Sequence, residues 1–431
     1  MSKPRVLLVC HAHPAWSAGG TEIYTQELYQ EIRRQNDFEP FLICRAQDHA
    51  RGAGSPHDGQ RGAGIGGDPN QFAFFVDESE WDPFLDVIRD KEHVVPPWTQ
   101  LVQAIRPDVV HFQHTLLLGF DLLRATRSLL PAAPILYTLH EFVPICLHDG
   151  KMVRTAGNDL CESASPADCA RCFPECSPAD FFRRRCFIQS HFGVVDRFLA
   201  PSHFLRERFV AWGIPAARIS YEDNGRRALP AAEVPARLGP RNRFGFFGNL
   251  ADPFKGLDVL LHGLEAIAAK PLQGTAIEVS VHGAGVDRQP WLREALERFP
   301  QNSHCRLRFA GPYTPTQQPA LMAEVDWVVV PSIWWENAPL VIQEAFAAGR
   351  PVIASDIGGM AEKVTHGKNG LHFRVRDPLS LADSLRKAAG TPGLWEQLVE
   401  GIPAVYSIKV AAPRMAALYR ELLNSRDRGA R

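Results

Sequence analysis

The stretch Ser332-Ile333-Trp334-Trp335-Glu336-Asn337-Ala338-Pro339-Leu340-Val341-Ile342-Gln343-Glu344-Ala345 runs on through Phe346 to Gly349-Arg350-Pro351-Val352-Ile353-Ala354-Ser355, and its reading decides the fold. Ahead of it, Trp327 to Val330 is a continuous apolar run of strand length. Pro339 is placed for the first turn of a helix, where its missing N–H removes no bond, and Ala338–Ala348 continues as that helix. The turn at Gly349 feeds a second apolar run, Pro351–Ala354. Strand, helix, strand in that order predicts a parallel pair with a crossover helix. Ligands of open α/β sheets gather at the carboxyl ends of the strands, which is where Glu336 falls. The N–H groups of Leu340 and Val341, unused at a helix start, make an anion site, and Glu344 follows about one and a half turns along. Two carboxylates around such a helix start can hydrogen-bond a sugar on one side and a ribose on the other. Taken alone, Glu336 reads equally well as an acid complementing the helix dipole, and Glu344 as a solvated residue. The compact strand–helix–strand setting favours the binding roles.

The same alternation extends in both directions. Towards the start, strands are predicted at Arg5–Cys10, Pro40–Cys44, Phe72–Val76, Asp108–Phe112, Pro134–Leu139 and Arg197–Ala200, with a helix carrying Tyr24, Leu28 and Ile32 and another over Trp98–Ile105. A second series has strands at Phe244–Phe247, Ile277–Val281, Arg306–Phe309, Trp327–Val330 and Pro351–Ala354, with helices at Leu257–Ala268, Trp291–Phe299, Ala338–Ala348 and Leu379–Ala389. The expected architecture is α/β: two Rossmann-like domains facing across a cleft, residues 1–225 and 243–404, joined by a Pro-, Ala- and Arg-rich linker over 226–242. Two segments break the pattern. Residues 48–70 are Gly-rich and aperiodic and read as a mobile surface loop, a candidate lid. Residues 145–186 are a cysteine-rich insertion in the first domain.

Composition narrows the function. The 431 residues carry 47 Lys plus Arg against 48 Asp plus Glu, a formal charge of -1, which argues against a nucleic-acid binder. With 45% hydrophobic and 22% charged residues the chain reads as an ordinary globular protein. No apolar run approaches the ~18 residues of a membrane helix, and Lys3–Val9 is too short for a signal peptide. The expectation is a cytoplasmic protein, soluble or peripheral at the inner face of the membrane.

Taken together, Gly19-Gly20-Thr21-Glu22, Asp108 to His111, Thr138-Leu139-His140, Asn224-Gly225, Phe247 to Gly256, Gly283-Ala284-Gly285 and the Glu336 to Glu344 stretch, with seven residues between the two glutamates, resemble the retaining nucleotide-sugar glycosyltransferases of family 4, which have the GT-B fold. The resemblance covers nearly the whole chain. It implies that Glu336 contacts hydroxyls of a donor sugar, Glu344 the ribose, and Lys255 the diphosphate of a nucleotide diphosphate sugar. It implies that His140 lies near the reacting centre, and that a C-terminal helix, about 405–431, returns to the first domain. Where the family usually has an arginine this chain has Asn249, which brings no charge, so stabilisation of the leaving group would rest more on Lys255 and the helix start at Leu340 and Val341. Gly19 and Gly20 would let backbone approach an acceptor or phosphate closely. No catalytic cofactor is implied. The acceptor would be a hydroxyl of a glycan or a lipid-linked glycan, as in surface polysaccharide or glycoconjugate synthesis, and the transfer a same-face one in which the departing phosphate takes the acceptor proton.

Other features are read from the residues. His11, His13, His111 and His114 sit at strand ends and read as polar lining of the acceptor cleft rather than metal ligands. Cys10, Cys44 and Cys305 read as small buried hydrophobes. Cys169 and Cys172 have half-zinc-site spacing, and Cys146 and Cys161 complete a candidate set for a structural zinc, with buried free thiols the alternative. Phe181-Phe182-Arg183-Arg184-Arg185 reads as a solvated helix face, or as a basic-aromatic contact to an anionic membrane. Two further classes stay open: a nucleotide-sugar-binding protein of weak catalysis, and a Rossmann oxidoreductase, against which the GxGxxG fingerprint is incomplete.

Overall fold

The computed structural model of the chain describes residues 3–17, 19–46, 64–227, 239–270, 276–299, 302 and 304–429, with side chains through 425. The chain divides into two compact units, Met1–Arg227 with Ser407–Arg431, and Ala228–Tyr406. Residues 228–238 of the expected linker and 48–63 of the expected lid lie outside the described residues.

In the first unit the elements are β1 (Arg5–Cys10), α1 (Gly20–Gln35), β2 (Glu39–Ala46), β3 (Gln71–Phe75), β4 (Trp81–Asp82), β5 (Val87–Ile88), α2 (Lys91–Ile105), β6 (Val109–Phe112), α3 (Asp121–Leu129), β7 (Ile135–Thr138), α4 (Pro166–Cys172), α5 (Pro178–Phe192), β8 (Arg197–Ala200), α6 (His203–Trp212) and β9 (Ile219–Tyr221). A parallel sheet runs in the order β3-β2-β1-β6-β7-β8-β9, and β4–β5 form a short antiparallel ribbon. Residues Val6 to Cys10 are all fully buried, as befits a central strand covered on both faces. Helix α1 turns Tyr24, Leu28 and Ile32 inward at i, i+4, i+8. Helix α2 begins seven residues before the predicted Trp98, because Asp90 caps it and Pro96 and Pro97 fall within it. The prolines remove bonds from the helix, and the fully buried Trp98, donating its indole N–H to Thr126 at 3.1 Å, anchors that face.

The second unit contains β10 (Arg243–Phe247), α7 (Leu257–Ala269), β11 (Ile277–His282), α8 (Pro290–Arg298), β12 (Cys305–Gly311), α9 (Gln318–Ala323), β13 (Trp327–Val330), α10 (Leu340–Ala347), β14 (Val352–Ser355), α11 (Gly358–Lys363), β15 (Gly370–Phe373), α12 (Pro378–Gly390) and α13 (Leu394–Glu400). Its sheet is parallel, in the order β12-β11-β10-β13-β14-β15. Helix α10 packs Ile342, Ala345 and Phe346 into a core with Val328, Val330 and Val352. It starts at Leu340, two residues later than the expected Ala338: Pro339 is the N-cap, with ψ at 114, and not a residue of the first turn. Helix α14 (Ile408–Gly429) belongs to the first unit. Its Tyr419 is fully buried, edge-on to Phe38 and to His111.

In each sheet the strand order reverses once, between β1 and β6 in the first unit and between β10 and β13 in the second. Loops leaving such neighbouring strands part in opposite directions and open a crevice, where α/β proteins hold ligands. Among the described residues no helix is long and apolar enough to cross a membrane.

Candidate functional site

At the second unit's switch point the loops after β10 and β13 are joined directly. The Ile333 N–H donates to the Phe254 carbonyl at 2.9 Å. Gly256 has φ +71, and a Cβ there would lie 1.9 Å from the Pro331 carbonyl oxygen, so a glycine is required for this approach. The preceding turn, capped by Asp252, ends at Lys255. Lys255 Nζ then lies 2.6 Å from Glu336 Oε1. The same oxygen accepts from the Ser332 hydroxyl at 2.8 Å and the Trp334 indole N–H at 3.0 Å. The ammonium lies 5.4 Å from the centre of the Trp334 ring. Burial opposes the charge on Lys255, but the Glu336 carboxylate and its hydrogen bond raise the lysine above its ordinary value. Ser332 and Trp334 escaped the sequence reading; their only signal was proximity to Glu336.

Glu344 follows on α10, where its Oε2 accepts from the Gln318 amide at 2.6 Å. Close by in the same unit, the Phe247 and His282 rings stack at 4.5 Å, with Tyr313 edge-on to both. Asn249 makes a turn: its Oδ1 accepts the Ala251 N–H at 3.0 Å. Its loop lies against the second glycine motif, since a Cβ on Gly283 would fall 1.9 Å from the Gly248 carbonyl oxygen. The structure therefore brings Lys255 and Glu336 together with three donors on one carboxylate oxygen. Leu340 and Val341 supply the first two N–H groups of α10.

The first unit's switch point carries a buried polar cluster. His11, just past β1, lies 3.3 Å from Glu22 of α1, and its ring meets that of His114 at 4.5 Å. Burial opposes protonation of His11, yet contact with the Cys10 thiol and the Glu22 carboxylate carries it up to about 10. His114 accepts the Leu116 N–H at Nδ1, so its Nε2–H donates to Glu141, 2.5 Å away. His140 Nε2 lies 2.9 Å from Gln113 Oε1, and its ring stands edge-on to Tyr24. Burial, together with the charges of His114, His111 and His11, holds His140 well below the ordinary histidine value. Gly19 is the N-cap of α1, and a Cβ there would crowd the Glu22 carboxylate at 2.5 Å; Gly20 is the first helical residue. Glu141 and Gln113 went unnoticed in the sequence.

Two of the four histidines read as cleft lining are core residues. His111 is fully buried, bonded to the Tyr419 hydroxyl at 2.8 Å and the Thr138 hydroxyl at 2.7 Å, and burial pushes it down to about 3. His13 is buried against Gln71 at 3.0 Å. The basic-aromatic stretch also needs correction. Arg184 is buried and donates to the carbonyls of Phe84, Val143 and Pro144, and Phe181 is buried against Phe84 and Phe173. Arg183 pairs with Asp180, leaving Phe182 as the exposed aromatic. All nine cysteines are outside disulfides; Cys10, Cys44 and Cys305 are buried, and Cys146, Cys161, Cys169 and Cys172 line one cavity.

Comparison with known proteins matches the two halves separately. Residues 18–226 match the family described as Glycosyltransferase Family 4, and residues 241–390 that described as Glycosyl transferases group 1. A D-inositol 3-phosphate glycosyltransferase from Corynebacterium urealyticum is 31% identical over 214 residues, 48% of each chain. The chain spans about half the length of the curated relatives it matches. HepE of Anabaena, solved in complex with UDP-glucose, superposes with a TM-score of 0.62 at 17% identity, covering 98% of this chain and 99% of that one. Sucrose-phosphate synthase from Thermosynechococcus elongatus gives 0.70 at 19%, over 98% and 100%. At such identities the likeness is one of fold.

Proposed function

We propose that the chain, a glycosyltransferase of GT-B type whose halves match Glycosyltransferase Family 4 and Glycosyl transferases group 1, moves a hexose-type sugar from a nucleoside diphosphate sugar to a hydroxyl of a glycan or lipid-linked acceptor, with retention at the anomeric carbon. The observation that carries this reading is the Lys255–Glu336 pair at the switch point of the second sheet. A cation beside the start of α10 suits a diphosphate, since ammonium and helix N–H groups both stabilise the charge that builds on a departing phosphate. A carboxylate held on one oxygen by three donors keeps a fixed orientation, as selective contact with sugar hydroxyls demands. Glu344, oriented by Gln318, takes the ribose in this reading.

The neutral Asn249 shifts leaving-group stabilisation onto Lys255 and α10. With phosphate as the group that accepts the acceptor's proton, attack on the face it leaves needs no second carboxylate opposite the bond, and that gives retention. The polar cluster of the first unit, with His140 at the end of β7, is assigned to the acceptor. HepE, whose structure holds UDP-glucose, supports a nucleotide sugar as donor.

A panel of nucleotide sugars in a thermal-shift screen identifies the donor, because a ligand that binds the folded chain raises its melting temperature. Transfer with that donor, followed by proton NMR of the product, reads the anomeric configuration. Inversion would refute the retaining mechanism, and binding without transfer or donor hydrolysis would leave a sugar-nucleotide-binding protein instead.

A further inference from the structure

We propose that Cys146, Cys161, Cys169 and Cys172 bind one zinc ion that cross-links residues 146–172 to one another and so fixes the fold of this insertion in the first unit. The proposal is independent of the transferase reading. Three chain segments deliver the four thiols to one cavity of about 20 Å³, walled by Met152, Val153, Phe173 and Phe181. That volume, edged also by His148, Arg154 and Asp168, holds one guest the size of a water or a metal ion. Zinc is content with sulfur alone: four thiolates around a tetrahedral ion complete a closed structural site.

Local structure supports the set. Cys169 and Cys172 stand at i, i+3 on α4 and so share a face. Arg184, buried and donating to the Val143 and Pro144 carbonyls just ahead of Cys146, is a nearby cation that offsets part of the net charge of about −2 on a four-thiolate zinc centre. The segment is otherwise held by few contacts of its own. Beyond the bridge Val153–Leu160, the Arg154–Asp168 ion pair and the buried Met152 and Val153, it has the seven-residue α4, none of whose residues is buried. Stretches with so little core are ordinarily held by a cross-link or a metal, and no disulfide is present.

Among the described residues no side chains form a ready-made metal group, so the sulfurs surround the cavity rather than clasp a point within it. Binding would draw them to about 2.3 Å from the ion and break the 3.2 Å thiol contact of Cys161 with the Ser163 carbonyl. Four S–H protons pass to the buffer as four Zn–S bonds replace zinc-bound waters.

The full chain, purified without chelator, should carry about one zinc by elemental analysis. Cys146→Ser and Cys169→Ser should lower that roughly tenfold or more, while Cys176→Ser and Cys186→Ser, outside the cavity, retain it. Because a serine variant can fail to fold, the wild-type chain is also stripped under reducing conditions and titrated with Co²⁺ alone. Tetrahedral thiolate binding gives intense visible bands and a near-ultraviolet sulfur-to-cobalt transition. Zinc far below stoichiometry together with no such absorption overturns the proposal. Undiminished zinc in soluble, folded Cys146→Ser and Cys169→Ser, or a disulfide between any two of the four in the native chain, overturns it as well.

Discussion

Glu336→Gln keeps the shape of the side chain and removes its charge. The Ser332 hydroxyl and the Trp334 N–H can still donate to an amide oxygen, so the variant isolates one loss, the counter-ion of Lys255. Breaking a fully buried pair costs about 3–5 kcal/mol and a surface pair under about 1. The Glu336 side chain is 9% exposed and that of Lys255 28%, so the loss falls between, at about 2 kcal/mol of folding stability. A diphosphate placed beside Lys255 supplies the missing negative charge. Nucleoside diphosphate affinity should therefore hold or rise, by up to about thirtyfold if all of the ~2 kcal/mol is recovered. Turnover should fall by about 10²–10³, because the fixed carboxylate no longer meets the sugar as charge develops. Urea unfolding reads the first quantity, calorimetry with UDP and other nucleoside diphosphates the second, and steady-state kinetics with the donor found in the screen the third. Wild-type turnover, or an affinity for the diphosphate that drops in step with turnover, would refute the reasoning.

Glu344→Ala should act on binding, weakening nucleotide affinity about tenfold, the worth of one charge-assisted hydrogen bond, with turnover at saturating donor close to wild type; a selective loss of turnover in saturation kinetics would move Glu344 into the chemistry. Gly256→Ala should destabilise the second unit by about 2–3 kcal/mol in denaturant unfolding, since φ is +71 and the new Cβ meets the Pro331 carbonyl; an unchanged midpoint would show that the loops separate freely. Glu22→Gln tests the His11 pair through pH. The folded His11 value, about 10, lies above the ordinary 6.5, so its contribution to stability is full below 6.5 and lost as pH rises through about 10. The variant should therefore be less stable than wild type by about 2 kcal/mol near pH 6, with the gap closing towards pH 10.5; a gap that grows with pH would reverse the assignment.

How far the sequence was legible depended on how local each cause was. The runs of β1, β8 and β13 were placed to the residue, because a parallel strand buried on both faces is a near-continuous apolar run, led in β1 and β8 by a single arginine that marks its start. Short strands such as β9 and β15, and the prolines inside α2, defeat local patterns, since tertiary packing decides them. Site residues followed the same rule. Lys255 and Glu336 each carry a nearby marker, Gly256 and Pro339, but their contact spans 81 positions and exists because β10 and β13 are neighbours in the sheet. His111 was misjudged because its partner Tyr419 is 308 positions away, on a helix whose return only the family resemblance implied. Arg184 was misjudged because three consecutive arginines look alike in sequence, while on a helix successive residues point about 100° apart.

That geometry bears on how the second unit recognises charge. A solvated lysine would attract any anion, and salt would screen the attraction. Lys255 is held by a carboxylate on one side and lies near an indole face on the other, so an incoming anion must compete with Glu336 for the ammonium. A lone phosphate offers too little in exchange. A diphosphate reaching the N–H groups at the start of α10, with a sugar to engage the displaced carboxylate, offers more. Under the proposed function, discrimination of a nucleotide sugar from free nucleotide would follow from the pair itself: the sugar would give Glu336 hydroxyls to accept from as the lysine turned to the phosphates, whereas free nucleotide would leave that carboxylate facing added negative charge. Wild-type chain should accordingly prefer the nucleotide sugar to its free diphosphate, and Glu336→Gln should shrink that preference, so competition titration of both ligands against both proteins separates this account from one in which Lys255 is a simple anion hook, where the ratio would be the same in each.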